Sequence, residues 1–393
     1  MVAGAAEGAN GAMAEPCPLI EISGPPHKRG VQYGTQAASR IRRGLQHYGE
    51  QLRRLGLDAP ATAALVNDYL PVIEAFDDSF VPEMRGIAKG AGVAFEDVAL
   101  LNARTEILKL ATRPDLRAGL QHDPAELADG CTGVVALPSA TRDGRLIHAQ
   151  NWDWKAECAE TAVVLRVRRD DGPDLLTFTE AGGLARCGLN AAGIAITANY
   201  LESDRDYRDI GVPLALIRRK VLLQDHLALA MRAVYATRKS ASNNMIVSHA
   251  GGVVIDFECA PDETFQVQAE NGLLVHANHF QSPVALGKLR DTGIATTPDS
   301  LYRDIRVRDL LRPAIGGLTT EHVKAALFDD FASPWSVCRP PRLNTSNNLS
   351  ATVAMVVMQP DAGVMEVAML PALDRRFTRF ALADDATAQL AAE

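Results

Sequence analysis

The chain has 393 residues, 47% of them hydrophobic, and a formal net charge of −8. That is enough to bury the core of one large or two ordinary domains. The acidic balance disfavours a nucleic-acid partner, because phosphates are met by basic surface. No apolar run approaches the roughly 18 residues that a membrane-spanning helix needs.

In chain order, "MVAGAAEGANGAMAEP" has neither a basic nor an apolar block and reads as a frayed tail rather than a signal peptide. With the short strand "LIEIS" it makes up an opening segment, 1–24. Apolar residues at three- and four-residue spacing then predict helices through "RGVQYGTQAASRIRRGLQHYGEQLRRLG", "TAALVNDYLPVIEAF", "PEMRGIAKGAG" and "FEDVALLNARTEILKLA". The arginines Arg40, Arg42, Arg43, Arg53 and Arg54 fall on the wet face of the first of these. Residues 113–130 are polar, hold two prolines and end in Asp-Gly, which predicts an exposed loop.

After residue 130 the period changes to two. "CTGVVAL" and "LIHAQNW" flank a turn with Asp143-Gly144, and "TAVVLRVRR" and "DLLTFTE" flank "DDGP"; both read as hairpins. "GLARCGLNAAGIAITANYL" reads as strand, glycine turn, strand, and a helical block follows at 212–237. Strands return in "NNMIVSHAGGVVIDFE", "TFQVQAE" and "LLVHANHF", helices at 298–312 and 319–329, and a last hairpin in "ATVAMVVMQP" and "VMEVAMLPA". Hairpin-rich strands around helical blocks predict an α+β fold of antiparallel sheet packed with helices.

The glycine runs "GIAKGAG" and "GGLARCG" match no phosphate-binding loop and read as turn and packing glycines, and no G-x-S-x-G elbow is present. His276 and His279 lie three apart in "HANH", where a strand would aim them to opposite faces, so a zinc-dependent hydrolase is the weaker alternative. Six cysteines without a CxxC pair suit a reducing, cytoplasmic compartment rather than a disulfide scaffold. Five of them read as small core hydrophobes. Cys131 stands apart, first in a strand and directly after Gly130. Glycine allows backbone geometries that other residues resist. A strained Gly130–Cys131 peptide would let the thiol attack the preceding carbonyl. Hydrolysis of the thioester would free an α-amine of pKa roughly 7.7–8.0 beside the thiol, a base in the same residue as its nucleophile. The opposite reading is an uncleaved, non-catalytic globular protein in which Cys131 is merely buried.

Asp-Gly-Cys-Thr (129–132), Gln-Asn-Trp-Asp-Trp (150–154), His-Ala-Asn-His (276–279) and Ser-Val-Cys-Arg (336–339), in that order, resemble the isopenicillin N acyltransferase family. These are self-cleaving N-terminal-nucleophile (Ntn) cysteine enzymes, and the resemblance runs from about residue 25 to 372. It implies an αββα sandwich of two antiparallel sheets flanked by helices. Residues 25–130 would be a mainly helical α chain, and 131–393 a catalytic β chain folding with it as one domain. The product is an α/β heterodimer, with higher assembly left open. By the same resemblance Cys131 is the nucleophile, Asp153 orients its new amine, Arg339 pairs with Asp153, and Asn278 donates to the oxyanion. Asn199 supports the site, and Trp152, Trp154 and Phe280 line an apolar acyl pocket.

The expected substrate is a small-molecule amide, hydrolysed through a Cys131 thioester with no metal and no cofactor. The alternative within the family is N-acyl transfer of the 6-aminopenicillanate type, with a coenzyme A thioester as partner. Related bile-salt and penicillin V amidases carry an arginine shortly before the matching aspartate. Gln150 and Asn151 stand there instead, which favours the acyltransferase-like branch.

Overall fold

The structure is a computed structural model that describes residues 15–112, 130–343 and 349–383. The expected loop at 113–130 therefore lies, apart from Gly130, outside the described residues, as does the tail at 1–14. Strand β1 (Leu19–Ser23) leads into six helices: α1 (Pro26–Gln36), α2 (Ala38–Arg54), α3 (Ala59–Phe76), α4 (Phe80–Ala91), α5 (Phe95–Asn102) and α6 (Arg104–Ala111). The helix expected through the first of these segments is two, parted at Ala37. Glycine explains how closely α1 and α4 pack. A Cβ on Gly30 would come within 2.0 Å of Glu83 O, and one on Gly86 within 2.3 Å of His27 O. In "GIAKGAG" Gly86 and Gly90 are thus packing glycines, whereas Gly92 has open space around it and takes the left-handed backbone that ends α4.

The chain continues through β2 (Gly130–Ala136), β3 (Ile147–Lys155), β4 (Ala162–Arg168), β5 (Leu175–Glu180), β6 (Cys187–Asn190) and β7 (Ile194–Tyr200). Then come α7 (Leu214–Leu222), α8 (Leu227–Tyr235), β8 (Asn243–His249), β9 (Val253–Cys259), β10 (Thr264–Val267) and β11 (Leu273–His276). The short α9 (Pro283–Leu286), α10 (Ser300–Leu311), α11 (Thr320–Leu327), β12 (Arg342–Leu343), β13 (Leu349–Gln359), β14 (Val364–Met369) and β15 (Thr378–Ala381) complete it.

Two sheets form. One has the order β1-β4-β5-β6-β7-β8-β9-β10, the other β11-β2-β3-β13-β14-β15, with β12 on β13. All pairs are antiparallel except β1 with β4. Parallel pairing needs a long crossover, and the six helices between β1 and β4 supply it. The expected hairpins β2–β3, β4–β5, β6–β7 and β13–β14 are all present.

The sheets face each other across β2, β3 and β7. His148 bridges them, with Nδ1 2.8 Å from Ser248 Oγ and Nε2 2.8 Å from Thr197 Oγ1. The helices α1–α7 share the main core with β3–β7, while α10 and α11 cover the outer face of β2, β3 and β13 around Val134, Ala149, Val307 and Leu327. The result is a helix–sheet–sheet–helix sandwich, an α+β fold of two sheets flanked by helices. Among the described residues no helix is long and apolar enough to cross a membrane.

Candidate active site

Register decides what meets Cys131. In the β2–β3 ladder Gly130 stands opposite Asp153, and Cys131 opposite Trp152. Successive strand residues point to opposite faces. Asp153 therefore turns toward α10, and Trp152 toward the space between the sheets.

On the α10 side a closed network of buried charge surrounds the backbone at 130–132. The Cys131 N–H donates to Asn278 Oδ1 at 2.8 Å. Arg303, from α10, donates from Nη1 to Cys131 O at 2.6 Å and to Thr132 Oγ1 at 2.9 Å, and from Nη2 to Asn278 Oδ1 at 2.8 Å. Its Nε donates to Asp299 Oδ2 at 2.8 Å, and Asp299 also binds the Arg339 guanidinium. Arg339 Nε lies 3.3 Å from Asp153 Oδ2, and Thr352 Oγ1 donates to Asp153 Oδ1 at 2.6 Å. Burial works against the Arg339 charge, but Asp153 and Asp299 more than offset it and hold its pKa above the ordinary value. Burial likewise favours a neutral Asp299, yet Arg339 and Arg303 keep its carboxyl below the usual range.

Gly130 owes its identity to this network. The backbone there is extended, with no positive φ, so conformational freedom, the expected reason for a glycine, is not the operative one. A Cβ would come within 2.6 Å of Asp153 Oδ2 and 2.8 Å of Arg339 Nη1. Close approach requires the glycine. Asp153 Oδ2 accepts no hydrogen bond, which leaves an acceptor beside the Gly130–Cys131 junction.

Cys131, Asp153, Asn278 and Arg339 thus converge. Asn278 presents Oδ1, not its amide N–H, to the Cys131 nitrogen; its Nδ2 donates to Tyr200 O at 2.9 Å. Asn199 sits one step back, donating to His276 O at 2.9 Å and accepting from Gln150 Nε2 at 2.8 Å. Trp152 and Trp154 share the core of Cys131, whereas Phe280 packs in a separate cluster with Leu201, Phe265 and Leu289. His276 and His279 are not splayed. The chain bends after β11 and stacks their rings 6.2 Å apart. Both His276 nitrogens are engaged, Nε2 2.8 Å from Glu258 Oε1 and Nδ1 3.0 Å from Ala277 O. Among the described residues no group of three or more His, Cys, Asp or Glu is arranged to hold a metal.

Burial drives the other thiols toward the protonated, inert form, Cys187 and Cys338 each up to about 12. Sequence reasoning missed Asp299, Arg303 and Thr352. Asp299 and Arg303 carry a signal, an acid and a base four apart on an expected helix, but such a pair ordinarily lies on a solvated face.

Comparison with known proteins bears on this arrangement. Residues 139–369 match the family model of acyl-coenzyme A:6-aminopenicillanic acid acyl-transferase. The chain belongs to this family. The matched segment contains Asp153, Asn199, Asn278 and Arg339 and begins just past Cys131. The 40 kDa form of the acyl-coenzyme A:6-aminopenicillanic-acid-acyltransferase of Emericella nidulans is 28% identical over 343 residues, 81% of this chain and 84% of that one. Solved structures of lower similarity include a variant of the conjugated bile acid hydrolase of Clostridium perfringens, with a TM-score of 0.44 and 12% identity over 64% of this chain and 92% of that one. Another is the Caenorhabditis elegans orthologue of N-acylethanolamine-hydrolyzing acid amidase, with a TM-score of 0.41 and 18% identity over 59% and 93%.

Proposed function

We propose that this family member is a self-cleaving Ntn cysteine enzyme that transfers or hydrolyses the acyl group of a small-molecule amide through a Cys131 thioester. The observation that carries the reading is the 2.8 Å contact from the Cys131 N–H to Asn278 Oδ1, on a residue whose preceding glycine is pressed against an unfilled acceptor of Asp153.

In maturation the Cys131 Sγ attacks the Gly130 carbonyl. A carbon–sulfur bond forms, the peptide C–N bond breaks, and the thiol proton passes to the departing nitrogen. Water then cleaves the thioester, leaving a Gly130 carboxylate and a Cys131 with free thiol and amine. Asn278 Oδ1 and Asp153 Oδ2 accept from that amine, which fixes its lone pair toward the thiol. The two chains, 1–130 and 131–393, stay together as one domain through the core that the helices share with the sheets.

In turnover the α-amine takes the thiol proton as Sγ attacks the substrate carbonyl, then returns it to the leaving amine. The second Asn278 amide hydrogen, not used on Tyr200 O, donates to the oxyanion. Arg303 holds both Asn278 and Cys131 O, a positioning role. The thioester goes to water or to an acceptor amine. A coenzyme A thioester loading the same sulfur is the second reading, favoured by the name of the Emericella nidulans relative. Six buried cysteines, none of them in a disulfide, support a cytoplasmic setting.

Intact-mass spectrometry of the purified protein tests the proposal. Two fragments, 1–130 and 131–393, are expected, and a single active polypeptide would overturn it.

A further inference from the structure

The opposite face of β3 carries a second buried cluster that the chemistry above does not use. Trp152, cross-strand from Cys131, points into the sandwich, and the Arg186 guanidinium stacks 3.9 Å above its ring. Next to it is a cavity of about 30 Å³ lined by Arg104, Glu106, Glu180, Arg186 and Arg218. A single water needs roughly 10–15 Å³ of such space, so the cavity has room for a carboxylate.

The charges lining it are unevenly matched. Arg104 is paired with Glu180 at 2.6 Å. Glu106 accepts from the Leu214 N–H at 2.8 Å. Arg218 is only 7% exposed, yet it makes no hydrogen bond or ion pair with any described residue, and its Nε is buried without an acceptor. Burial and the neighbouring Arg186 push its pKa down to about 10 against the weaker pull of Glu106, which leaves it charged at neutral pH. A buried guanidinium whose Nε has no acceptor and which contacts no carboxylate is costly. It is also a preformed fork for a planar, bidentate anion.

We propose that this cavity receives a carboxylate carried by the amide substrate, with Arg218 gripping it beside Arg186 while the amide reaches Cys131 across Trp152. This substrate class rests on the reading of Cys131 as the nucleophile.

The matured protein would be assayed with two pairs of amides. Glutaryl-para-nitroanilide and valeryl-para-nitroanilide differ by a carboxylate on the acyl half. N-valeryl-para-aminobenzoate and valeranilide differ by one on the amine half. In one pair kcat/KM should favour the carboxylate by about tenfold or more, as expected where buried polar groups would otherwise stay unpaired. Arg218→Met should bring that ratio close to one, and the responding pair tells which half carries the anion. No preference in either pair, or a preference that survives Arg218→Met, overturns the proposal. Should that variant not fold, Arg218→Lys keeps the charge without the fork and should still lower the ratio; an unchanged ratio counts against it.

If the cleaved protein turns over none of these amides, that failure belongs to the functional reading. Calorimetric titration of the full chain with glutarate then decides the site. Binding with a Kd of about 1 mM or tighter, lost in Arg218→Met, upholds it; absence of binding overturns it.

Discussion

Two clusters of buried charge flank β3, and they differ in how fully their members are matched. On the Asp153 face, Asp153 and Asp299 alternate with Arg303 and Arg339, and each charge has an opposite one in contact. On the Trp152 face, Arg218 makes no hydrogen bond or ion-pair contact among the described residues, its Nε is buried without an acceptor, and Glu106 attracts it only from a distance. A matched set holds backbone in place, because moving any member strands its neighbours. An unmatched charge does the reverse and waits for an ion from outside. The first cluster holds the backbone at Cys131 in place; in the proposed reading the second faces the substrate that Cys131 attacks.

The comparison breaks most completely if Cys131 itself is dispensable. Cys131→Ala should abolish both self-cleavage on a denaturing gel and amidase turnover, while the fold persists. Retained cleavage would mean that the matched cluster positions something else. The next largest effect tests the matching. Asp299→Ala leaves two buried guanidinium groups short of an anion and should cost about 3–5 kcal/mol in urea unfolding of the uncleaved chain. Loss of a surface pair would cost under about 1 kcal/mol.

Asn278→Ala sharpens the comparison on the chemical side. Losing one oxyanion donor should lower kcat by about a hundredfold or more, with folding near normal. Undiminished turnover would remove Asn278 from the mechanism. Gly130→Ala follows. The added methyl meets Asp153 Oδ2 and Arg339 Nη1 inside van der Waals distance, an overpacking that costs about 1–3 kcal/mol. Because relieving that overlap displaces the Gly130 carbonyl from the Cys131 thiol, it should slow maturation, measured as the rate at which the two fragments appear.

The two faces were unequally legible in the sequence. The period change at residue 130, the hairpins and the Asp-Gly-Cys junction are local signals, and each of the expected hairpins is present, with strand ends shifted by a few residues. Asp153, Asn278 and Arg339 came only from the family resemblance that their motifs, taken in order, carry. Arg303 was invisible because a helix arginine four residues after an aspartate looks solvated. Only the packing of α10 on β2 and β11 buries it. Arg186 and Arg218 were invisible for the same reason: in "GGLARCG" and "LALIRRKVL" they resemble the charged edges of amphipathic segments. Tertiary burial turns an ordinary arginine into a site, and no single-sequence periodicity reports it. Phe280 illustrates the converse, an aromatic near a motif that packs in a separate cluster from Trp152 and Trp154.

A third polar seam, between the sheets, carries no fixed charge and gives the smallest effect. His148 is fully buried, and burial lowers its pKa from the ordinary 6.5 to about 3. Its two nitrogens meet Ser248 and Thr197 hydroxyls, and one of those bonds needs an unprotonated acceptor. The unfolded chain takes up this proton near pH 6.5, while the folded chain resists down to about 3. Stability contributed by neutral His148 is therefore complete above pH 6.5 and is lost as the pH falls through that window, by at most about 1.4 kcal/mol per pH unit. His148→Gln keeps a donor and an acceptor but cannot titrate. Urea midpoints between pH 6.5 and 4.5 should fall less steeply for this variant than for the wild type, by about one proton's worth of slope. Parallel slopes would mean that His148 is already charged, and that the seam between the sheets is as ionic as the two clusters beside it.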